Sequence, residues 1–268
     1  MPVPVVDAAT RPLVLLIHGL GTSGAVWSAV ARALERQRGV DVLAPDLPGH
    51  GAAGAAAPYT LDGLAAAMAA MVMAACSGSR VAAGAALIRP VLVAGHSLGG
   101  YVALALASGR FGFTPRAALS LGAKLSFDAA ERARAAEVAA RPVRYFATHA
   151  EAVTRYRLVA GLTPPQAPDD RSLERGVVRE EQGFRLAADP AAFGIVVPDF
   201  AALLAAARCP VLVARGEHDA LVSRAQCERL GAPTAELAGL GHNAHVEDPA
   251  RLAALIAGLP IGQQLGVI

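Results

Sequence analysis

The hydrophobic positions along the chain form short apolar runs that alternate with longer stretches of helical spacing. Six short segments predict strands, at residues 13–17, 40–44, 90–94, 116–121, 210–214 and 234–237. The first is a continuous apolar run and predicts a buried parallel strand, whereas the signal at 116–121 is weaker. Helical spacing follows five of these runs, at residues 25–36, 61–76, 98–108, 224–230 and 249–257. Because strands that alternate with helices pair in parallel, the pattern predicts an α/β fold, with a mostly parallel central sheet and helices on both faces.

This alternation stops between residues 124 and 207. The segment contains seven of the chain's twelve aromatic side chains, a helix-like stretch at residues 131–144, and a cluster of helix breakers at residues 163–170. It has little strand signal. We therefore predict a core domain made of residues 1–123 and 208–268, interrupted by a mostly helical insertion at residues 124–207.

Composition and charge exclude several classes of protein. Of 268 residues, 54% are hydrophobic, which is enough to bury a large core. The 24 basic and 22 acidic residues leave a net charge of +2, so we expect neither a nucleic acid nor an anionic membrane as a partner. The apolar stretch at residues 64–76 is shorter than the ~20 residues of a membrane span. Residues 1–12 lack the basic and apolar regions of a secretory signal, so we expect a cytoplasmic location.

The cysteines give no indication of a metal site. Cys76, Cys209 and Cys227 are scattered and form no C-x-x-C pair, so the sequence predicts neither zinc nor a disulfide framework. The glycine pattern G-x-G-x-x-G is absent, which argues against a dinucleotide site. We therefore expect no cofactor and no metal.

The most informative motif is the sequence GHSLG at residues 95–99, which fits G-x-S-x-G between a predicted strand and a predicted helix. A strand that reverses sharply into a helix strains the backbone of the central serine, and it brings the positions two before and two after too close for side chains. Ser97 would then lie at the carboxyl edge of the sheet and at a helix N-terminus, which favours an oxyanion. The motif predicts Ser97 as a catalytic nucleophile. The alternative is a glycine-rich turn whose serine has no chemical role.

A serine hydroxyl needs a base that takes its proton and an acid that orients the base. We predict Asp219 as the acid, because it follows the carboxyl end of a predicted strand. Glu217, two residues earlier, is the alternative acid. We predict His242 as the base, because it follows the last predicted strand. His245, three residues further on, is its rival.

Two backbone N–H groups must also hold the developing oxyanion. We predict that they belong to Leu98, beside the nucleophile, and to Leu20, in the loop after the first strand. His18 precedes Ser97, which is the wrong order for the base, so we expect it to brace that loop through backbone hydrogen bonds. His218 is predicted to be structural.

Five segments together resemble the α/β-hydrolase superfamily, and they extend over nearly the whole chain: LLIHGLGTSGAVW, DLPGHG, VAGHSLGG, ARGEHDALV and GLGHNAHVEDP. The resemblance implies the same five site residues. It also implies that residues 124–207 form a cap over the pocket, and that Asp46 and His50 belong to a structural turn. Haloalkane dehalogenases and epoxide hydrolases of the superfamily are disfavoured, because they carry an aspartate where this chain has Ser97.

The resemblance is strongest to small esterases and to the meta-cleavage-product hydrolases, which cleave carbon–carbon bonds. It implies a carboxylesterase-like serine hydrolase that acts on a small ester or related carbonyl compound. A carbon–carbon or lactone hydrolase is the alternative enzyme, and a small-molecule receptor is the third candidate. Because only twelve residues precede the first predicted strand, we expect the usual N-terminal antiparallel hairpin to be short or missing. The sequence is also compatible with a homodimer.

Overall fold

The computed structural model describes residues 11–55, 57–76, 89–162 and 170–260. Its eight strands are β1 (Leu13–Ile17), β2 (Asp41–Leu43), β3 (Val91–His96), β4 (Ala117–Leu121), β5 (Val177–Glu180), β6 (Gly183–Leu186), β7 (Val211–Gly216) and β8 (Thr234–Leu237). Six of them form one sheet in the order β2-β1-β3-β4-β7-β8, in which every pair is parallel. The predicted α/β fold with a parallel central sheet is confirmed.

Within the described ranges, ten helices accompany the strands: α1 (Ser28–Arg38), α2 (Leu61–Ala75), α3 (Leu98–Ala107), α4 (Ala129–Ala139), α5 (His149–Val159), α6 (Asp170–Arg175), α7 (Phe200–Ala205), α8 (Arg224–Glu228), α9 (Ala244–Glu247) and α10 (Pro249–Ala257). A short 3-10 turn at Gly24–Trp27 precedes α1, where the sequence pattern predicted helix from residue 25. Another follows β6 at Pro190–Gly194.

The two faces of the sheet are covered by different helices. Along β1, which is buried throughout, Leu13, Leu15 and Ile17 pack with residues of α2 and α3, while Val14 and Leu16 pack with residues of α1 and α10. Strand side chains point alternately to opposite faces, so a continuous apolar run indicates burial on both sides. The sheet therefore lies between two helical layers.

The chain between β4 and β7, residues 124–207, is called the inserted segment below. It contains α4 to α7 and also an antiparallel hairpin of β5 and β6, which the sequence pattern did not predict. Each hairpin strand has four residues, with charged side chains among them, so neither makes a clear apolar run. Phe146 pairs with Phe184 through two backbone hydrogen bonds of 2.7 and 2.9 Å. The hairpin is therefore stabilised by a residue that lies about thirty positions before it in the sequence.

Among the described strands, the outermost of the sheet are β2, which has three residues, and β8. The prediction about an N-terminal hairpin concerns residues 1–10, which lie outside the described residues, as do nearly all of the predicted breakers at residues 163–170. Within the described ranges, no helix has the length and apolar character needed to cross a bilayer; the longest, α2, has 15 residues.

Candidate active site

Ser97 lies at the corner where β3 turns into α3. Its φ of 52° and ψ of −116° place it in a backbone conformation that side-chain-bearing residues rarely adopt. Among the described residues, it is the only non-glycine with a positive φ. Strain of this kind persists only where the surrounding structure imposes it, and it is concentrated at functional positions.

The glycines around this corner have no room for a side chain. A Cβ on Gly95 would lie 1.9 Å from the carbonyl oxygen of Gly99. A Cβ on Gly99 would lie 2.2 Å from the carbonyl oxygen of Ile17 in β1. The close approach that the G-x-S-x-G motif predicted is therefore present, and it involves the neighbouring strand as well as the corner itself.

The corner places Ser97 above the carboxyl ends of β3 and β4. Its N–H donates to the carbonyl oxygen of Leu121, the last residue of β4, over 2.8 Å. Leu98 follows as the first residue of α3, so its own N–H has no acceptor within the helix. A free N–H and the positive end of the helix dipole thus lie beside the serine side chain.

Asp219 and His242 are joined directly. Asp219 lies in the loop after β7, and its side chain is completely buried. One carboxylate oxygen accepts the N–H of Leu221 over 2.9 Å, and the other lies 3.0 Å from Nδ1 of His242. A carboxylate can only accept here, so Nδ1 of neutral His242 carries the proton and Nε2 is left as the acceptor.

Two contacts place this pair next to Ser97. Gly122 follows Leu121, which holds the Ser97 N–H, and a Cβ on Gly122 would lie 3.2 Å from Asp219 Oδ2 and 3.3 Å from His242 Nδ1. On the other side, the ring of His96 lies 4.6 Å from the ring of His242, centre to centre. The structure therefore brings Ser97, Asp219 and His242 together at one end of the sheet.

The alternative acid and base lie elsewhere. Glu217 is exposed, and its carboxylate accepts the N–H of Gly239 over 2.7 Å. His245 is buried, with its ring centre 4.6 Å from that of Trp27 and 4.3 Å from that of His96. Burial lowers the pKa of His245 to about 3, so it stays neutral. Neither side chain forms a described hydrogen bond with Asp219 or His242.

His96 has a structural role that the sequence pattern did not predict. Its Nε2–H donates to the backbone oxygen of His242 over 2.9 Å, and its Nδ1 has no partner among the described residues. Burial, followed by the charges that His245 and His242 could carry, lowers its pKa, so it remains neutral. The available signal was its place in the motif, at the end of β3 directly before Ser97.

The loop after β1 is held as predicted for His18. Its Nε2 accepts the N–H of Leu47 over 2.8 Å, so Nδ1 carries the proton and donates to the oxygen of Gly19 over 2.8 Å. Burial lowers the pKa of His18 to about 3. Two residues after Gly19, the backbone N–H of Gly21 donates to Nε2 of His50 over 3.1 Å. Leu20 lies between these fixed points.

Asp46 and His50 serve this part of the structure. The two carboxylate oxygens of Asp46 accept the N–H groups of Gly24 and Ala52 over 2.7 and 2.8 Å. Nδ1 of His50 lies 3.2 Å from the oxygen of Pro48. Both side chains bind backbone groups, as the superfamily resemblance implied. His218, in the loop after β7, is exposed, and its backbone N–H donates to the oxygen of Leu240 over 2.8 Å.

A cavity of about 270 Å³ opens beside Ser97. The core supplies Leu20, Leu98 and Tyr101 to its wall, and the inserted segment supplies a larger apolar group: Phe127, Ala135, Phe193, Ile195, Val196 and Val197. Its polar side contains the ion pair of Lys124 and Glu131, together with Arg132. Within the described ranges, no group of three metal-ligating side chains is present.

A family model described as "Alpha/beta hydrolase family" matches residues 14–255. Among curated proteins, Lipase LipV of Mycobacterium tuberculosis is 39% identical over 97 residues. That match covers 36% of this chain and 32% of the lipase, so it spans about a third of the relative's length.

Solved structures match over nearly the whole chain. A thioesterase domain from the curacin biosynthetic pathway has a TM-score of 0.73 at 23% identity, covering 94% of this chain and 92% of that domain. E-2-(acetamidomethylene)succinate hydrolase has a TM-score of 0.72 at 20% identity, with 93% and 91% covered. An esterase of M. tuberculosis has a TM-score of 0.70 at 20% identity, with 93% and 85% covered. At these identities the likeness concerns the fold.

Proposed function

We propose that this chain, which belongs to the α/β-hydrolase family, is a serine hydrolase that cleaves a small carboxylic ester or related carbonyl compound through an acyl-enzyme. One observation carries the proposal: a strained serine, Ser97, opens onto an apolar cavity beside a hydrogen-bonded Asp219–His242 pair. A nucleophile, a base and a group that orients the base are the parts that acyl transfer requires.

In the proposed reaction, Nε2 of His242 takes the hydroxyl proton of Ser97 as Oγ attacks the substrate carbonyl carbon. Asp219 fixes the ring through Nδ1–H and stabilises the imidazolium that forms. His242 then gives its proton to the leaving group, and the bond between the acyl carbon and the leaving group breaks. Water repeats the sequence on the acyl-enzyme, which releases the acid and restores Ser97.

The backbone N–H groups of Leu20 and Leu98 would hold the negative oxygen of the tetrahedral intermediate. Both residues line the cavity beside Ser97, and the loop that carries Leu20 is fixed by His18 and His50. Donors that are already in place do not have to reorganise when the charge develops. Burial lowers the pKa of His18 to about 3, so a neutral ring holds this loop.

The inserted segment, residues 124–207, would act as the cap that selects the substrate. Its aromatic and aliphatic side chains make the cavity largely apolar, which favours an apolar acyl or aryl group. A matched relative named as a lipase favours a carboxylic ester over the carbon–carbon and lactone alternatives.

Labelling with a fluorophosphonate probe, followed by peptide mapping, tests the nucleophile. We expect the label on Ser97 and none in Ser97→Ala, whereas Ser108→Ala, at the far end of the same helix, should label like the parent. Equal labelling of Ser97→Ala would overturn the proposal.

Turnover of nitrophenyl esters of increasing acyl length, measured beside turnover of a vinylogous diketone, distinguishes ester cleavage from carbon–carbon cleavage. A ligand-induced thermal shift without turnover would indicate a receptor instead.

A further inference from the structure

A second, larger cavity of about 920 Å³ lies on the inserted segment, and we call it the arginine groove. It runs between α4, the connection from α4 to α5, α5 itself and the chain from β6 onward. Four arginines line it: Arg134, Arg141, Arg144 and Arg155. The other described residues of its wall are apolar, and none is acidic.

This is an unusual concentration of charge for this segment. Residues 124–200 contain eleven basic and eleven acidic residues, so the segment as a whole is balanced. Four of those eleven cations nevertheless line one groove, and none of the four forms an ion pair with a described side chain. Arg144 instead packs over the ring of Phe146, 4.8 Å from its centre. A concave surface with one sign of charge and apolar walls concentrates the field and attracts counter-ions.

The arginine groove adjoins the cavity at Ser97. Phe193 lines both. Helix α4 contributes Glu131 and Ala135 to the Ser97 cavity and Arg134 to the groove, so the two openings lie on neighbouring faces of the same helix.

The loop of the proposed oxyanion hole reaches the same place. A Cβ on Gly21 would lie 3.0 Å from Val159, which lines the groove, and 3.2 Å from Phe193. A substrate whose carbonyl group reacts at Ser97 could therefore extend past Phe193 into the groove.

We propose that the arginine groove binds phosphate groups carried on the leaving-group part of the substrate. The substrate would then be an acyl ester or thioester of a phosphorylated alcohol or thiol, with the acyl chain in the apolar cavity. Arginine forms paired, charge-assisted hydrogen bonds with phosphate oxygens, and the apolar wall suits the uncharged part of such a leaving group. This inference rests on the proposed function, because it extends the substrate of the same Ser97 site.

The reaction itself is unchanged by this assignment. The acyl–oxygen or acyl–sulfur bond breaks when Ser97 attacks, and the leaving alcohol or thiol takes the proton that His242 holds. Water then converts the acyl-enzyme to the carboxylic acid. The phosphates stay intact and act only in binding.

Two thioesters with the same acyl group and the same reacting bond give a matched test. One is carried on coenzyme A, which has three phosphates, and the other on N-acetylcysteamine, which has none. We expect kcat/KM for the coenzyme A thioester to be higher by about tenfold or more, which corresponds to at least one charge-assisted contact. The preference should shrink as salt rises, because exposed charges are screened over about 8 Å at physiological ionic strength. Equal kcat/KM values at low salt would overturn the proposal.

Variants locate the effect. Arg141→Gln combined with Arg144→Gln should reduce the preference for the coenzyme A thioester towards one, and leave kcat/KM for the uncharged thioester unchanged. Arg36→Gln combined with Arg229→Gln removes the same charge from exposed positions on the core and should keep the preference. A preference that survives the first pair, or that falls equally in both pairs, would overturn the assignment to the groove.

The groove and the Ser97 chemistry can fail separately. Calorimetry with free coenzyme A measures binding without turnover, and inorganic phosphate serves as a second probe. Suppose that coenzyme A binds and that the Arg141 and Arg144 substitutions weaken this binding, while neither thioester is hydrolysed and the fluorophosphonate probe does not label Ser97. That result would refute the proposed function and support the groove. Hydrolysis of both thioesters that Ser97→Ala abolishes, without any preference, would refute the groove alone. Phosphate binding as tight as that of coenzyme A would indicate a site for the free ion and overturn the leaving-group assignment.

Discussion

Four histidines, His18, His50, His96 and His245, are buried in the described part of the chain. Burial is the first cause that lowers each of their pKa values, and for His18 and His245 the pKa falls to about 3. The unfolded chain keeps ordinary histidines with a pKa of about 6.5. Acid should therefore destabilise the fold at a pH where its carboxylates are still ionised.

The sign and size follow from proton binding. Below pH 6.5 the unfolded chain takes up protons that the buried rings refuse, so the free energy of unfolding decreases as the pH falls. The stabilisation is complete above about pH 6.5, and it is lost progressively down to pH 3. At pH 5.5, one unit below the unfolded pKa, each ring that stays neutral costs about 1.4 kcal/mol. His18 and His245 together therefore cost about 3 kcal/mol, a large part of a typical stability of about 5–15 kcal/mol.

Urea unfolding at pH 7.5 and pH 5.5 measures this difference. Trp27 is the sole tryptophan of the chain, and it is buried with its ring 4.6 Å from that of His245, so its fluorescence reports on the relevant core. His245→Phe keeps a ring of similar size and should reduce the loss of stability by about 1.4 kcal/mol. The control His149→Gln removes an exposed histidine and should leave the loss unchanged. An unaltered loss in His245→Phe, or a parent loss below about 1 kcal/mol, would refute the reasoning.

Three further predictions concern the corner and the triad. In Gly95→Ala the new Cβ would lie 1.9 Å from a carbonyl oxygen, so thermal unfolding should show a loss of more than about 3 kcal/mol in the free energy of unfolding. The control Gly54→Ala has a φ of 71° and open space around it, so it should cost only about 1 kcal/mol. Asp219→Asn should lower kcat by about 10³–10⁴-fold with little change in unfolding, whereas Glu217→Gln should keep kcat; a similar loss in both would contradict the choice of acid. His96→Phe keeps the ring and removes the donor to the last loop, so kcat should fall by about tenfold with KM nearly constant, and an unchanged kcat would show that this hydrogen bond does not position the base.

The fold was predictable where burial dominates the sequence. The strand bounds at Leu13–Ile17 and the helix bounds at Pro249–Ala257 agree with the apolar pattern, because core positions leave few alternatives. The bounds of Thr234–Leu237 also agree, although only Leu237 of that strand is buried. The hairpin of β5 and β6 was missed because its strands are short and partly charged, and because it depends on Phe146, some thirty residues upstream of the hairpin. Local patterns carry no information about such a contact.

The candidate site divides in the same way. The residues on either side of Ser97 form the motif that predicts its position. The positions of Asp219 and His242 are predicted from the ends of the strands that precede them. The part of His96 depends on the backbone of a loop that is distant in sequence, and no motif describes that contact. The arginine groove is also invisible in the sequence, since its four cations come from two helices and the connection between them.

The order of the strands in the sheet has a consequence for biosynthesis. β7 pairs with β4 although the whole inserted segment separates them along the chain. A ribosome therefore completes the strand and corner that carry Ser97 long before it makes the loops that carry Asp219 and His242. Domains fold as units during synthesis, and here the last quarter of the chain carries the proposed acid and base. If the proposed assignment holds, a nascent chain carries its nucleophile without the base and the acid, and it gains activity only after the loops that follow β7 and β8 have been made.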